Sequence, residues 1–233
     1  MGNIMKKIDL VIFDMDGTIF DTENLGIECW KQAFQEVGIQ VPEKVLYEKI
    51  GLNSKDSKAL MLKYIGHDFD YDTIKKIKRD LVKKYIENNG VPIKKGFFEL
   101  IEFLKLHNIK IALATSRGLE MTTYYLQHAG KDFEKNFDFI VTGDVIEKGK
   151  PNPDIFLYAS NSLNISPENS LVIEDSFNGI KAAANGNIKA IMIPDLVEPN
   201  QEIRAITFKV LKNLSEVISV IEKNNSVNME YSM

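Results

Sequence analysis

The hydrophobic pattern of the chain predicts a buried parallel sheet. Five short runs are continuously apolar and rich in β-branched residues, instead of alternating between apolar and polar positions. Continuous runs of this kind are typical of strands that are covered on both faces, as in sheets whose parallel strands are joined by helices. The predicted strands are 8–13, 110–115, 137–142, 170–174 and 189–193.

Helix-length segments with recognisable ends separate the later strands. Gly96 precedes the apolar segment FFELIEFLKLH, and Asn152-Pro153 is a good start signal for the helix that follows it. Ser176 opens FNGIKAAANG, and Gly186 closes it. The alternation of strands and helices predicts an α/β fold, with a three-layer α/β/α core built on a Rossmann-like parallel sheet.

The segment 24–92, between the first two strands, has a different pattern. It contains no convincing strand and is predicted to form several helices, the clearest of them over 72–87. The lysines of KKIKRDLVKK are predicted to lie on a solvated surface of this helix, away from its apolar stripe. The predicted stripe is Ile74, Ile77, Leu81 and Tyr85.

A helical block inserted after the first strand of an α/β sheet indicates a small all-helical cap domain on a larger core. Segments at its two ends would then act as hinges, and the polar end of the chain is expected to be a disordered tail. The predicted segments are the core at 1–20 and 93–225, the cap at 24–90, the hinges at 21–24 and 88–95, and the tail at 226–233.

Composition narrows the classes of partner. The chain has 233 residues and a formal net charge of -4, which does not favour binding to nucleic acid or to an anionic membrane. Asp9 and Asp14 interrupt the apolar segment near the start, so it does not match a signal peptide. The single cysteine, Cys29, cannot form an internal disulfide. We expect a cytoplasmic protein with no membrane partner, either a monomer or a weak homodimer.

Polar residues follow several predicted strands at the points where those strands end. In open parallel sheets, ligands bind beyond the carboxyl ends of the strands, so these residues are expected to converge. Two neighbouring carboxylates, Asp14 and Asp16, would repel each other there unless a cation or a proton lies beside them. The converging residues are Asp14, Asp16, Gly17 and Thr18 after the first strand, Thr115, Ser116 and Arg117 after the second, Lys150 after the third, and Glu174 and Asp175 after the fourth.

These residue types favour phosphoryl-transfer chemistry. Clustered carboxylate oxygens are the ligands that Mg²⁺ prefers, and a carboxylate can also be a nucleophile that forms an aspartyl-phosphate. A second acid two residues away could protonate the leaving oxygen and later activate water. Thr115 and Lys150 could hold phosphate oxygens. Gly17 would allow a tight turn, so that Thr18 and nearby amides face the anion.

Four segments together resemble a known family. The motifs DMDGT, ATSR, KGKPNPDIF and IEDSFNGI are similar to the four signature motifs of the haloacid dehalogenase superfamily, in their order and spacing. The branch they resemble contains β-phosphoglucomutase-like phosphatases with a helical cap after the first motif. The similarity extends over about residues 6–222.

The resemblance implies roles for the residues that match these motifs. Asp14 would be the nucleophile and a ligand of Mg²⁺. Asp16 would be the general acid and base and would bind the metal through its backbone carbonyl. Thr115 would bind phosphate, and Lys150 would bridge the nucleophile and the phosphate.

The fourth motif would complete the metal site. Asp175 would bind Mg²⁺, with Glu174 beside it or behind it, so the expected metal set is Asp14, Asp16, Glu174 and Asp175. The second acid in DMDGT favours phosphate-ester hydrolysis over cleavage of a carbon–chlorine bond. The substrates are expected to be small phosphorylated metabolites, such as sugar phosphates or nucleotides.

Two alternatives remain at this point. Mutases of this branch place a histidine in the first cap helix and an arginine after a cap glycine, whereas this chain has Gly26 and Ser54 there, with Lys55 adjacent. Lysine lacks the bidentate fork that arginine offers a phosphate, so hydrolysis is preferred over mutase activity. A non-catalytic phosphate-binding protein on the same scaffold is the other alternative. Residues expected to contact substrate or phosphate are Gly17, Thr18, Ser54, Lys55, Ser116 and Arg117.

Overall fold

Six parallel strands form one sheet at the centre of the computed structural model, in the order β3-β2-β1-β4-β5-β6. The structure describes residues 6–50, 52–66 and 69–230. Residues 1–5, His67 and the last three positions of the predicted tail lie outside the described residues. The strands are β1 (Leu10–Phe13), β2 (Lys110–Thr115), β3 (Phe139–Thr142), β4 (Ser170–Glu174), β5 (Lys189–Met192) and β6 (Lys209–Val210).

Helices cover both faces of the sheet, so the predicted three-layer fold is confirmed. Alternate residues of each strand point to opposite faces, which places Val11 and Phe13 in one apolar cluster and Leu10 and Ile12 in the other. The helices of the core are α5 (Phe97–Leu106), α6 (Leu119–Ala129), α7 (Asp154–Ser162), α8 (Phe177–Asn185), α9 (Gln201–Ile206) and α10 (Glu216–Glu230).

Four further helices lie between β1 and β2, as the sequence predicts for the inserted block. They are α1 (Glu23–Glu36), α2 (Glu43–Glu48), α3 (Ser54–Ile65) and α4 (Tyr71–Asn89). They share an apolar cluster of their own, in which Trp30 stacks between Phe34 and Tyr71. Cys29, on the adjacent position of α1, packs instead into the cluster of the sheet.

The buried face of α4 differs from the predicted stripe. Tyr85 is exposed, and Val82 and Ile86 are buried in its place. The reason is that α4 packs against two neighbours. Ile74 joins the cluster of the inserted helices, whereas Val82 and Ile86 join the cluster of the sheet. A single stripe drawn from apolar spacing does not describe a helix that serves two cores.

The ends of several elements also differ from the sequence expectation. β6 is only two residues long, too short to give a hydrophobic pattern. α10 continues to Glu230, so residues 226–230 are helical and not a disordered tail. His107 and His128 each lie at a helix end, where the imidazole contacts the carbonyl four residues earlier. Within the described residues, no helix is both long enough and apolar enough to cross a membrane.

The junction between α5 and α10 requires glycine at position 96. Gly96 has φ +89, and an added Cβ would lie 2.3 Å from the backbone nitrogen of Ser215. Gly90 also has a positive φ (+76), but nothing lies within 4 Å of the corresponding position.

We expect Gly96→Ala to lower the free energy of unfolding by about 3 kcal/mol, because left-handed strain and a steric clash add together. Gly90→Ala carries only the backbone strain, roughly 1 kcal/mol. Urea unfolding of the two variants measures the difference. Equal losses would show that the contact with Ser215 relaxes at little cost.

Candidate active site

The parallel register brings the carboxyl ends of β1, β2 and β4 to one level. Phe13 pairs with Leu113 of β2 on one side and with Ile173 of β4 on the other. Asp14 continues β1 and donates its backbone N–H to the Ile173 carbonyl (3.0 Å). The central strand therefore delivers Asp14 directly beside Glu174, the last residue of β4.

Lys150 links two of these carboxylates underneath the cavity. Its ammonium is 1% exposed, contacts Asp14 Oδ1 closely, and donates to Glu174 Oε1 at 2.7 Å. The second oxygen of Glu174 accepts from the backbone N–H groups of Asp175 (2.9 Å) and Ser176 (2.6 Å). Lys150 and Glu174 thus have fixed positions, and neither side chain lines the cavity.

Three buried carboxylates with one ammonium leave a deficit of positive charge. Oxygens of Asp14, Glu174 and Asp175 lie within 4.8 Å of one another, a geometry that could hold a metal ion. Burial raises the pKa of Asp14 to about 8 despite the contact with Lys150, because Glu174 and Asp16 add repulsion. Burial, with repulsion from Glu174 and Asp14, also raises the pKa of Asp175. This oxygen-rich donor set fits a hard divalent cation.

Two glycines allow the carboxylates to approach. Gly17 has φ +76, and an added Cβ would lie 2.2 Å from Asp175 Oδ2. Gly179, in the first turn of α8, packs so closely on Glu174 that a Cβ there would lie 1.8 Å from Oε1. The sequence indicates a tight turn at Gly17 but gives no sign that position 179 must be glycine. That requirement comes from a contact between β4 and α8, which no local pattern reveals.

Asp16 is held by a bidentate arginine. Arg117 donates from Nε to Asp16 Oδ2 (2.9 Å) and from Nη2 to Oδ1 (2.6 Å), and the Thr22 hydroxyl adds a bond to Oδ1 (3.0 Å). Burial by itself would raise the pKa of Asp16, but Arg117 and Thr22 outweigh it and lower that pKa. The guanidinium also lies 4.6 Å from the ring centroid of buried Tyr125, which fixes its plane.

A cavity of about 420 Å³ lies over these groups and is closed on its far side by the inserted helices. This volume is in the range of sites for small molecules. Its sheet side is formed by Asp14, Asp16, Thr115, Ser116, Arg117 and Asp175. The opposite wall includes Glu23, Gly26, Lys49, Ser54, Lys75 and Lys78.

The charged residues on the helical wall were not predicted. Burial raises the pKa of Glu23 to about 7, with Asp16 adding to the effect. Burial likewise lowers the pKa of Lys49 to about 8 and that of Lys78 to about 7. The prediction that the lysines of α4 form a solvated surface is therefore wrong for Lys78. Nothing local distinguishes it from the exposed lysines beside it.

The predicted phosphate-contacting residues divide into two groups. Ser54, Ser116 and Arg117 line the cavity. Gly17, Thr18 and Lys55 do not, so their contact with a substrate stays a prediction.

The positions of Gly17, Thr18 and Lys55 outside the cavity lining follow from their surroundings. The Gly17 N–H donates to the Phe20 carbonyl (2.8 Å), and the fully buried Thr18 hydroxyl donates to Asp175 Oδ1 (3.2 Å). Lys55 is an exposed residue near the start of α3. Thr115 lines the cavity, and its hydroxyl accepts the Arg117 N–H (3.1 Å).

We expect Lys78→Met to stabilise the fold. The folded pKa of Lys78 is about 7, below its ordinary value of 10.5, so its cost to folding is fully present below pH 7 and disappears by about pH 10.5. The gain in the free energy of unfolding should therefore be larger at pH 6.5 than at pH 9.5.

Lys76→Met is the matched control, since Lys76 is an exposed lysine of the same helix. Urea unfolding at the two pH values measures both variants. A loss of stability in Lys78→Met, or a gain that does not depend on pH, would contradict this account of the lysine.

Comparison with known proteins agrees with this geometry. The family model described as haloacid dehalogenase-like hydrolase matches residues 11–193. A phosphorylated carbohydrates phosphatase of Thermotoga maritima is 32% identical over 184 residues, covering 79% of this chain and 84% of that protein. A β-phosphoglucomutase of Bacillus subtilis is 30% identical, covering 78% and 81% of the two chains.

A solved structure extends the similarity to almost the whole chain. The β-phosphoglucomutase of Clostridium difficile superposes with a TM-score of 0.78 and 25% identity, covering 95% of this chain and 99% of that one. The resemblance inferred from the four motifs is thereby confirmed. The chain belongs to the haloacid dehalogenase-like hydrolases, in their β-phosphoglucomutase-like branch.

Proposed function

We propose that this enzyme hydrolyses phosphomonoesters of small metabolites through an aspartyl-phosphate on Asp14. One observation carries the proposal: Asp14 and Asp16 face the same closed cavity, each held by its own cation, Lys150 or Arg117. Two carboxylates in different electrostatic settings can act as nucleophile and as acid and base. The phosphatase relative is similar over most of its length.

The chemistry has two steps. A carboxylate oxygen of Asp14 attacks phosphorus, the bond between phosphorus and the ester oxygen breaks, and Asp16 delivers a proton to the departing oxygen. Asp16 then removes a proton from water, whose oxygen attacks the phosphoryl group and releases Asp14 and inorganic phosphate. Thr115 and Ser116, which line the cavity, would stabilise the charge on the phosphoryl oxygens, while Lys150 holds Asp14 from below.

Arg117 has to release Asp16 for the first step, since a carboxylate paired with a guanidinium is ionised and cannot donate a proton. An incoming phosphate dianion competes for the same guanidinium, because arginine matches phosphate and carboxylate equally well. Substrate binding would therefore move Arg117 from Asp16 to the substrate.

Mg²⁺ fits the acidic end of the cavity. Asp14, Asp175 and the backbone carbonyl of Asp16 would hold it, with Glu174 supporting Asp175 and Lys150 from behind. When bound, the ion would neutralise phosphate oxygens and orient the phosphoryl group. Because the family resemblance and the donor set point to the same cation, the proposed cofactor is Mg²⁺.

The helices α1–α4 are proposed to act as a cap domain over residues 24–90, on a core of residues 1–20 and 93–225. Antiparallel backbone bonds join the two connecting segments: Asp21 N–H donates to the Pro92 carbonyl (2.9 Å), and Lys94 N–H donates to the Ile19 carbonyl (2.8 Å). Contacts across the cavity mouth, such as Arg79 with Glu120 (3.0 Å), are exposed and therefore weak. These ion pairs would therefore add little to the cost of opening the cap.

Mutase activity is the alternative function, because some of the similar proteins are β-phosphoglucomutases. It requires a grip on a second phosphate while the intermediate turns over. Gly26 and Ser54 replace the histidine and arginine that the branch uses for this purpose, and Lys55 is exposed and does not line the cavity. We therefore prefer hydrolysis, by a cytoplasmic monomer or weak homodimer that acts on small phosphorylated metabolites.

Asp14→Asn should abolish turnover, with at least about a 10³-fold loss of kcat, because the nucleophile is removed while the shape is kept. Phosphate release from p-nitrophenyl phosphate and a panel of sugar phosphates measures it, with Mg²⁺ and with EDTA. Asp132→Asn is the matched control, since Asp132 is exposed and adopts φ 58, which asparagine tolerates.

Retained activity in Asp14→Asn, or full activity in EDTA, would refute the proposed mechanism. Conversion of β-glucose 1-phosphate to glucose 6-phosphate without phosphate release would instead identify a mutase.

Cap closure makes a separate prediction. A phosphate mimic such as tungstate or vanadate, added with Mg²⁺, should slow amide hydrogen exchange at residues 21–24 and 88–95, because closure immobilises the hinges. Exchange within β4 serves as the internal reference. Unchanged hinge exchange at a saturating concentration of the mimic would argue against a moving cap.

A further inference from the structure

The helical wall of the cavity carries two ammonium groups without a paired carboxylate. The other cations at this wall have partners: Arg79 pairs with Glu120, and Lys75 contacts the Ser54 hydroxyl. Within the described chain, neither Lys49 nor Lys78 forms an ion pair. Both line the same cavity as Asp14.

Each of these lysines lies against a residue of α1. Lys49 Nζ lies 5.0 Å from the ring centroid of Trp30, a residue in the cap's apolar cluster. Lys78 Nζ lies beside Gly26, 3.9 Å from the position that a Cβ there would occupy.

The charges at this wall do not balance. Glu23 and Asp16 both attract the two ammonium groups, but Asp16 is already paired with Arg117, so two carboxylates face three cations. Arg117 adds further repulsion, although its own charge is matched by Asp16. Removing unpaired charge from water is costly even in a partly open cavity, and the lowered pKa values of both lysines express that cost. Such costs are characteristic of ligand sites.

We propose that Lys49 and Lys78 bind a second anionic group of the substrate, at the end remote from the phosphoryl group that reaches Asp14. The preferred substrates would be small doubly anionic compounds, namely a phosphomonoester that also carries another phosphate or a carboxylate. Glu23, which lines the same cavity, would accept a hydrogen bond from a substrate hydroxyl. This proposal rests on the proposed phosphatase function.

An anion fits this wall better than a neutral sugar does. Hydroxyl groups could accept hydrogen bonds from the lysines but would leave the excess positive charge in place. An anionic oxygen supplies both the acceptor and the missing charge, and such charge-assisted bonds are about twice as strong as neutral ones. The site also differs from the mutase arrangement, because its cations are Lys49 and Lys78 instead of a histidine at position 26 and an arginine at position 54.

The test compares matched substrates that differ in one anionic group. Glycerol 3-phosphate against 3-phosphoglycerate tests a carboxylate, and fructose 6-phosphate against fructose 1,6-bisphosphate tests a second phosphate. The wild type should favour the doubly anionic member of at least one pair by about 10-fold or more in kcat/KM. Lys49→Met and Lys78→Met keep the aliphatic stem and should each reduce that ratio several-fold, mainly through KM. Lys76→Met, the exposed control, should leave it unchanged.

A binding measurement keeps the result independent of turnover. Calorimetry with Asp14→Asn and Mg²⁺ should show tighter binding of the doubly anionic compound, and adding Lys78→Met should remove the difference. Equal kcat/KM within both pairs, or an equal loss for both members in the lysine variants, would overturn the proposal while leaving the phosphatase intact. Absence of turnover with the binding preference retained would overturn the phosphatase function and support the anion site.

Discussion

The ammonium of Lys150 holds the acidic end of the cavity together. It is buried below the cavity floor, where it bonds to one oxygen of Asp14 and one of Glu174. Burial opposes a charged lysine, but the two carboxylates outweigh that effect and raise its pKa. Lys150 therefore remains charged, and it keeps two carboxylates in contact that would otherwise repel each other.

The rest of the acidic site depends on this bridge. Glu174 has its second oxygen on two backbone N–H groups at the start of α8, so it cannot follow Lys150 if the lysine moves. Gly179 and Gly17 then determine how closely the carboxylates can approach. Three carboxylates around one ammonium still leave negative charge, which is why a divalent cation suits this end. The packing thus leaves an excess of negative charge that a bound ligand must neutralise.

The cavity is electrically asymmetric as a result. Its sheet side is short of positive charge, whereas its helical wall has ammonium groups that are not paired. Neither imbalance of charge stabilises the folded protein by itself. We expect one part of a bound substrate complex to relieve the first imbalance and another part to relieve the second. An enzyme of this kind gives up some stability at its site in exchange for recognition.

The sequence alone determined the fold class and the acidic half of the site. Continuous apolar strands identified the parallel sheet, and in a parallel sheet the strand ends must meet at one edge, so Asp14, Thr115 and Glu174 could be placed together. Only the tertiary structure decided what faces this edge. Lys78 belongs to a helix whose lysines look alike in sequence, and which of them enters the cavity depends on how α4 packs against two cores at once. Lys49 directly follows α2, and its place in the cavity likewise depends on how the inserted helices pack. Tertiary packing also decides the positions of Gly179 and Thr18. Gly179 packs against Glu174, and the Thr18 hydroxyl donates to Asp175 without lining the cavity. These are contacts between residues far apart in the chain, and no local pattern encodes them.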